Sequence, residues 1–325
     1  MAAVAILEIL SPGALTSVQD LGRYGHGRYG VAPSGALDTF AMRIANLLVG
    51  NREDQACLEA MLLGPRIRIL TDTVVAVTGG NLLPHRNKQP MEMWRAHVLK
   101  KNDILTFKAP VSGFRAYIAV GGGIGVPTVM GSRSTNLPSG FGGYQGRPVK
   151  KGDILLSEFS CNNLNAAGRT FNSEWMPHYP QKWALRVTWG PQDDHFPAAG
   201  RKLFLNALYK MSPESDRTGI RLQGPVIDRK SDIEESIISE GVISGSIQIP
   251  GDGKPIIILG ETVTGGYRKI ATVISADLPL LGQIKPGDDL QFEAVSQETA
   301  HQVLHDLEDK ITRFKESIAI QELRD

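Results

Sequence analysis

The stretch from residue 239 to 283 constrains the fold more than any other part of the chain. Apolar, β-branched runs at 247–249, 256–259 and 270–274 alternate there with turns rich in Gly, Pro and Asp. Runs this short are typical of strands and cannot form helices. The turn at 250–255, Pro-Gly-Asp-Gly-Lys-Pro, joins the first two runs with residues that favour turn conformations. The stretch therefore predicts a meander of short strands.

The connection from Glu261 to Tyr267 carries more chemistry than a chain reversal requires. Its sequence, Glu-Thr-Val-Thr-Gly-Gly-Tyr, supplies two glycines, two hydroxyls, a carboxylate and an aromatic ring. Loops that a rigid scaffold holds in place commonly carry function. We therefore predict that this loop belongs to a functional site.

Length and charge exclude several classes of protein. A chain of 325 residues favours two domains, because single cores stop growing at roughly 250 to 300 residues. The 35 basic and 34 acidic residues give a net charge of +1, so we expect no nucleic-acid partner. No run approaches the roughly 18 apolar residues of a membrane helix, and no charged region precedes the first apolar stretch. We expect no membrane association and a cytoplasmic location, with Cys57 and Cys161 reduced and structural.

Further short strands are predicted in both halves of the chain. They cover residues 5–10, 66–70, 74–77, 104–107, 115–120, 154–156 and 184–189. A turn that begins with Lys and ends with Gly-Asp or Asn-Asp precedes a strand at 100–103, 150–153 and 285–288. The repetition predicts one strand-entry turn that is used three times.

Three segments have the periodicity of helices. Residues 39–49 follow Asp38, the predicted N-cap, and residues 197–209 form a helix with Leu203 and Leu208 predicted to face inward. Residues 297–320 place apolar side chains at helical steps, so we expect this face to pack on a barrel or a partner.

A polar stretch of low periodicity between residues 158 and 183 predicts the connection between the domains. The predicted organisation is an N-terminal domain at 1–160, a connection at 161–183, a C-terminal domain at 184–296 and a C-terminal helix at 297–325.

Several familiar motifs are excluded by their context. The glycines from Gly121 to Gly125 follow a strand but precede Pro127 and no helix, so a tight turn is predicted in place of a dinucleotide site. No phosphate loop and no G-x-S-x-G serine motif occurs. His301 and His305 lie one helical turn apart, but with no further ligand nearby we expect a surface pair and no metal site.

Polar segments that contain glycine remain as candidates for the site, at residues 19–23, 34–38, 215–221 and 262–267. Each lies between predicted core elements, where functional loops are common.

A structural explanation competes with function for the main candidates. Asp38 could serve only as a helix cap, and Thr264 and Tyr267 could simply pack a hairpin. Arg217 and Arg221 could be held by a nearby acid such as Asp216 in structural ion pairs. Alternatively, they could offer a planar donor fork to a carboxylate or phosphate.

Ordered segments along the chain resemble signature segments of the biotin-dependent carboxyltransferase family, also called allophanate hydrolase subunit 2-like. This family includes the C-subunit of 5-oxoprolinase and the KipA proteins. The resemblance runs from about residue 6 to 293 and rests on 16–23 (TSVQDLGR), 34–38 (SGALD), 45–51 (ANLLVGN), 131–135 (GSRST), 215–222 (SDRTGIRL), 239–242 (SEGV), 245–250 (GSIQIP) and 264–267 (TGGY).

The resemblance implies a mainly β fold with a few helices, made of two cyclophilin-like β-barrel domains and a C-terminal helix. It also implies the C-subunit of an ATP-dependent 5-oxoprolinase, which converts the lactam 5-oxo-L-proline to L-glutamate. The partners implied are the 5-oxoprolinase A-subunit and the KipI-like B-subunit. ATP is implied for the complex and not necessarily for this chain.

Two other functions within the family stay open. One is a KipA-type regulatory protein that antagonises a KipI-type kinase inhibitor. The other is a biotin-dependent carboxyltransferase subunit that acts on a urea-like substrate, with biotin on a separate protein because Met91-Glu-Met93 lacks the lysine of a biotin carrier. Glu261 stands where relatives often have Asp, and Arg268 where many have Pro, so the resemblance is weaker at this loop.

Opening a lactam develops negative charge on oxygen, and the implied substrate also carries a carboxylate, so the site needs preorganised donors. The expected catalytic residues are Asp38, Arg217, Arg221 and Tyr267. The arginines would supply guanidinium donors, Tyr267 a hydroxyl and Asp38 a group that orients or accepts a proton. The expected substrate-binding residues are Gln19, Asp20, Arg23, Ser34, Gln248, Thr264, Gly265 and Gly266.

Overall fold

The computed structural model describes residues 4–159, 164–234 and 236–323. The chain divides into two compact units, the first made of residues 1–23, 34–179 and 309–325. The second unit is made of residues 24–33 and 180–308. Residues 24–33 thus belong to the second unit although they come early in the sequence. The predicted boundaries placed them in the N-terminal domain, together with the rest of residues 1–160.

Short strands that pair into two sheets form the first unit. In the described residues these are β1 (Ala5–Ser11), β2 (Leu15–Gln19), β3 (Cys57–Met61), β4 (Arg66–Ile69), β5 (Thr73–Asn81), β6 (His85–Arg86), β7 (Gln89–Pro90), β8 (Ala96–Leu99), β9 (Ile104–Thr106), β10 (Ser112–Val120) and β11 (Ile154–Leu156). Their orders are β11-β1-β4-β9-β6-β7 and β2-β3-β10-β5-β8. Ile9 and Ile67 of one sheet and Val77 and Ile118 of the other are buried in one core.

A closed barrel forms the centre of the second unit. Its part of the described chain contains β12 (Lys182–Trp189), β13 (Tyr209–Met211), β14 (Gly219–Gln223), β15 (Glu240–Gly241), β16 (Ser246–Ile249), β17 (Ile256–Ile258), β18 (Thr264–Gly265), β19 (Arg268–Val273) and β20 (Asp289–Ala294). The barrel order is β12-β19-β16-β17-β14-β13-β20, closed by a parallel pairing of β12 with β20. β15 and β18 pair separately. The mainly β fold class and the hairpin at 250–255 are confirmed.

The predicted helices are present, with one error of orientation. The α-helices of the described chain are α1 (Thr39–Leu48), α2 (Ala198–Asn206), α3 (Leu278–Leu281) and α4 (Gln297–Glu322), with short 3₁₀ turns at Gly27–Tyr29, Ser173–Trp175, Asp193–His195 and Ser275–Asp277. Leu203 and Leu208 were expected inward, but they are 41% and 54% exposed. Phe204 is buried instead and stacks on Phe292 with ring centroids 4.5 Å apart, because the larger ring removes more apolar surface from water.

Helix α4 buries the apolar face that its periodicity predicts. Ile311 and Phe314 are buried, and the Phe314 ring meets Phe171 edge to face at 5.0 Å. Within the described residues, none of the helices is both long enough and apolar enough to cross a membrane. His301 and His305 are exposed on α4, and the cytoplasmic location stays a prediction.

Two segments that were predicted as loops contain strands. β2 (Leu15–Gln19) overlaps residues 16–23, and β14 (Gly219–Gln223) overlaps residues 215–222. In β2 the polar side chains of Thr16, Ser17 and Gln19 are buried, so the usual alternation of apolar and polar residues is missing. The composition of β2 therefore concealed a strand that pairs with β3.

The repeated strand-entry turn is confirmed at all three places. The backbone N–H of Lys100, Lys150 or Lys285 donates to Oδ2 of the Asp three residues later, at 2.7, 2.7 and 3.2 Å. The N–H of that Asp donates back to the lysine carbonyl. The intervening residue, Asn102, Gly152 or Gly287, has a φ of 73°, 89° or 91°, the left-handed conformation that Gly and Asn adopt most readily. The strands β9, β11 and β20 follow directly.

Of the two cysteines that were predicted to be reduced and structural, the structure describes Cys57. Cys57 on β3 is a buried free thiol, and burial raises the pKa of this thiol well above its usual value. Cys161 lies outside the described residues. The inert, structural role is therefore supported for Cys57 and remains a prediction for Cys161.

Candidate functional site

The carboxylate of Asp20 organises loops of the first unit. Its Oδ1 accepts hydrogen bonds from Ser132 Oγ at 2.6 Å, Ser134 Oγ at 2.5 Å and the Gly22 N–H at 2.8 Å. Its Oδ2 accepts from the Arg133 N–H. The residue is 7% exposed, so these bonds replace water around a buried charge.

Arg23 is as fully enclosed as Asp20. Its guanidinium donates to the Ser134 carbonyl and, at 3.1 Å, to Ser34 Oγ, and it lies 4.7 Å from the centre of the Phe141 ring. Arg23 is 1% exposed. The guanidinium therefore ties loops of the first unit together.

Gln19 completes this first group of predicted site residues. Its Nε2 donates to Ser17 Oγ at 3.0 Å and to the Thr135 carbonyl at 3.3 Å, and the side chain is fully buried. The structure thus brings Gln19, Asp20, Arg23 and Ser34 together in the first unit, where their polar atoms bond mainly to one another and to residues 129–135.

Asp38 caps helix α1, as predicted. Its Oδ1 accepts from the Ala41 N–H at 2.8 Å, and its Oδ2 accepts from the Tyr179 hydroxyl at 2.9 Å. Asp38 is 1% exposed. Burial, together with the nearby Asp38 carboxylate, raises the pKa of Tyr179 well above its usual value. Both carboxylate oxygens are engaged inside the first unit, which supports the structural explanation for this residue.

Arg217 forms a buried ion pair with Glu261, an acid that the sequence did not single out as its partner. Its Nε lies 3.1 Å from Glu261 Oε1, and the two side chains are 7% and 0% exposed. Asp216 instead accepts from the N–H groups of Thr218 and Gly219 at 2.7 and 3.1 Å. The Asp216 carboxylate thereby closes the turn that leads into β14, and its pairing with Arg217 or Arg221 stays a prediction.

The other predicted residues of the second unit line one cleft of about 330 Å³. They are Arg221, Gln248, Thr264, Gly265, Gly266 and Tyr267. Further residues complete the lining, namely Glu214, Asp216, Thr218, Gly219, Ile256, Ile258 and Thr262. The two polar segments at 215–221 and 262–267 are therefore neighbours in space, as a shared site requires.

Strand β14 presents Arg221 to this cleft. Side chains along the strand alternate between buried and exposed, with Ile220 and Leu222 in the core and Arg221 outside. Within the described chain, the Arg221 guanidinium forms no ion pair or hydrogen bond. Tyr267, 41% exposed, lines the same cleft. The cleft thus offers a cation and a phenol to a ligand.

Gly265 and Gly266 lie close to neighbouring groups, and neither has a left-handed backbone angle. A Cβ on Gly265 would collide with the side-chain amide of the buried Gln248, whose Nε2 donates to the Tyr267 carbonyl at 3.3 Å. A Cβ on Gly266 would lie 3.3 Å from the Ile237 carbonyl. Pairing of β15 with β18 also holds this loop. The glycines therefore let the loop pack closely beside Gln248.

Sequence reasoning missed Glu214 as a residue of the cleft, and it considered Asp216 only as a structural ion-pair partner. Both precede β14 in the segment that carries Arg221. The strand alternation of residues 219–223 was the available signal, because it would have shown which side of this segment faces outward.

No group of three or more His, Cys, Asp or Glu residues in the described chain could hold a metal ion. The Gly121–Gly125 stretch forms a tight turn, as predicted, and its N–H groups bond within the protein. Gly122 donates to Asn51 Oδ1 at 2.9 Å, Gly123 to the Val120 carbonyl and Gly125 to the Leu156 carbonyl. These donors are not directed at a phosphate.

Comparison with known proteins gives consistent likenesses. The family model described as carboxyltransferase domain, subdomain A and B, matches residues 29–294. The chain is 37% identical over 298 residues to the 5-oxoprolinase C-subunit of Escherichia coli K12, and the match covers 91% of this chain and 93% of that protein.

Much larger proteins also contain a similar part. The chain is 36% identical over 315 residues to urea amidolyase of Lachancea kluyveri, covering 91% of this chain and 17% of that protein. The crystal structure of the K. lactis urea amidolyase superposes with a TM-score of 0.90 at 33% identity, over 97% of this chain and 20% of that one.

Proposed function

The chain belongs to the carboxyltransferase subdomain A and B family, and from this premise we propose that it is the C-subunit of an ATP-dependent 5-oxoprolinase. The reaction converts the lactam 5-oxo-L-proline to L-glutamate and takes place in a complex with the A-subunit and the KipI-like B-subunit. The likeness to the 5-oxoprolinase C-subunit over 91% of this chain carries the proposal.

The cleft of the second unit suits such a substrate. An exposed guanidinium binds a carboxylate through a planar pair of N–H donors, so we assign the substrate carboxylate to Arg221. We assign Tyr267, which lines the same cleft, as a donor to the lactam carbonyl oxygen, on which negative charge develops when a nucleophile adds to the carbonyl carbon; the C–N bond then breaks and its electron pair goes to the nitrogen. The N–H groups of Gly265 and Gly266 remain the proposed additional donors.

Arg217 receives a different role from Arg221. Its buried pair with Glu261 joins the turn before β14 to the start of the 262–267 loop, which are the two walls of the cleft. We therefore propose Arg217 as a positioning residue. For Gln19, Asp20, Arg23, Ser34 and Asp38 we propose that they shape the first unit, since their polar atoms contact one another and its loops.

ATP enters the proposal as a co-substrate of the complex, where its hydrolysis drives ring opening. The N–H groups of Gly121–Gly125 are occupied within the protein, so this stretch is not proposed to hold the phosphates. The residues of the cleft bind and orient the lactam.

Reconstitution tests the proposal. The purified chain should neither hydrolyse ATP nor release glutamate from 5-oxoproline, whereas the chain mixed with its two partner proteins should do both. A complete mixture that lacks 5-oxoproline-dependent glutamate release would contradict the function. Robust turnover by the chain alone would contradict the need for partners.

Assembly with the KipI-like B-subunit is the second element of the proposal. A specific interface typically buries roughly 1,200 Å² or more, so the coexpressed pair should elute from size-exclusion chromatography as one peak. Two separate peaks at micromolar concentration would contradict a stable complex.

Carboxyl transfer to a urea-like substrate is the second candidate function, favoured by the superposition on urea amidolyase. This activity would need biotin on a carrier protein. Urea-dependent consumption of carboxybiotin by the chain, without 5-oxoproline-dependent glutamate release in the complete mixture, would select it.

A further inference from the structure

The second unit contains another cavity, of about 260 Å³, on different residues from the candidate cleft. Its polar side comes from Arg229, Lys230, Ser231 and Arg268, and its apolar side includes Phe196 and Ile249. Arg268 is 5% exposed, whereas Arg229 and Lys230 are exposed.

Cations dominate the polar side. Arg229, Lys230 and Arg268 carry donors only, and the single carboxylate of the described lining is Asp228. Burial and the nearby Arg229 guanidinium lower the pKa of Arg268. The nearby Glu234 carboxylate opposes this effect more weakly than Arg229 exerts it, so an anion in the cavity would further relieve the repulsion between the two guanidinium groups.

His195 and the loop after Asp228 hold these cations in place. His195 Nδ1 accepts from Arg268 Nε at 2.9 Å, and the His195 carbonyl accepts from the Lys230 N–H at 3.0 Å. Arg229 Nε donates to the Ile233 carbonyl at 3.0 Å, and the Ile233 N–H donates to the Lys230 carbonyl at 3.1 Å. The two guanidinium groups are thus held by His195 and the Ile233 carbonyl before any ligand arrives, which lowers the entropy cost of binding.

We propose that this cavity binds a small organic phosphate. Arginine pairs suit the oxygens of a phosphate group, and the apolar side beside Phe196 and Ile249 suits a short carbon skeleton. The competing explanation is that the cations only balance Asp232 and Glu234 of the same loop. The phosphate site does not depend on the proposed 5-oxoprolinase activity, because it lies in another cavity.

Isothermal titration of the full chain with inorganic phosphate, at fixed ionic strength set with sodium chloride, tests the proposal. The variants are Arg229→Gln and Lys230→Gln. The matched control is Lys202→Gln, which removes one exposed positive charge from α2 outside the cavity. Thermal melts verify that each variant is folded.

We expect saturable phosphate binding that weakens about tenfold or more in each cavity variant, as loss of a charge-assisted contact predicts. Lys202→Gln should bind like the unchanged protein, and phenyl phosphate should bind more tightly than inorganic phosphate. Absence of saturable binding, or equal binding by all three variants, would overturn the proposal. A lowered melting temperature of the cavity variants without phosphate binding would select the loop-balancing explanation.

Discussion

The loops around Asp20 in the first unit and the cleft around Arg221 in the second unit look alike in sequence and differ in structure. Both come from short segments rich in Gly, hydroxyl groups and charge. Asp20 and Arg23 are enclosed, with their polar atoms bonded to neighbouring loops, whereas Arg221 and Tyr267 are exposed on a cleft. A charged residue in a Gly-rich loop is therefore a site candidate only if its polar atoms remain available to a ligand.

The difference follows from which side chains of β2 and β14 face the core and which face outward. β2 turns its polar side chains into the unit, where Gln19 donates to the Thr135 carbonyl and Thr16 to the Pro12 carbonyl. β14 has ordinary alternation, so Arg221 points outward while its neighbours fill the barrel core. From this difference in burial we propose a stabilising role for the first group and a binding role for the second, and substitutions can test both proposals.

The largest effect is expected for Arg217→Ala, which tests whether a buried charge beside the cleft behaves like those of the first unit. Removing one partner leaves Glu261 buried without its ion pair, which typically costs about 3–5 kcal/mol of unfolding free energy. Denaturant titration measures this free energy of unfolding. The matched control is Arg221→Ala, whose free energy of unfolding should stay within about 0.5 kcal/mol of that of the unchanged protein. Equal stabilities for the two variants would break the comparison.

Arg23→Ala should cost about 2–4 kcal/mol of unfolding free energy, because Ser134 and Ser34 lose a buried charged donor and Phe141 loses its packed neighbour. Arg28→Ala, at an exposed position nearby in sequence, is the control and should be close to neutral. If Arg23→Ala melts normally and only lowers turnover, the first group belongs to the site after all.

Arg221→Gln should lower kcat/KM for 5-oxoproline in the reconstituted complex about tenfold to a hundredfold, through loss of a charge-assisted contact. The melting temperature should stay unchanged, since the guanidinium is exposed. Arg221→Lys should recover only part of the loss, because an ammonium group cannot reproduce the two-pronged geometry. Normal kinetics for Arg221→Gln would remove this residue from the site.

Asp153 is intermediate in exposure between the buried Arg217 and the exposed Arg221. It forms a partly exposed ion pair with Arg147, in which Arg147 Nη1 and Asp153 Oδ2 are 2.7 Å apart. The hydrogen bond from Arg147, opposed by burial and aided by the Lys150 N–H, lowers the pKa of Asp153. Its stabilisation is therefore present above the unfolded pKa of about 3.9 and is lost as pH falls through the lower folded value. Asp153→Asn should cost about 0.5–1 kcal/mol at pH 7.

This difference between the Asn variant and the unchanged protein should shrink when denaturant titrations are repeated toward pH 3. A difference that stays constant with pH would show that the side-chain charge of Asp153 does not contribute.

Much of the fold could be predicted from local patterns. The apolar runs predicted most of the strands. The turn that ends in Asp103, Asp153 or Asp288 was also predictable, because the hydrogen bonds that define it join residues within one four-residue segment. β2 and the inward side of α2 were missed, because their burial depends on distant partners such as Phe292.

The lining of the candidate cleft was predictable to a similar extent. Neighbouring segments supplied six of the cleft residues, namely Arg221, Gln248, Thr264, Gly265, Gly266 and Tyr267. Glu261, which pairs with Arg217, lies 44 positions away and could not be identified from nearby acids. Enclosure of Arg23 likewise depends on Ser134, 111 positions away, which no local pattern encodes.

The membership of residues 24–33 in the second unit limits how the chain can be dissected. A single cut near residue 180 would separate the barrel from these ten residues and would separate the first unit from residues 309–325. Each fragment expressed alone would lack part of its own fold. Fragment complementation, with both pieces produced in the same cell, is consequently a sounder way to study the halves than isolated expression.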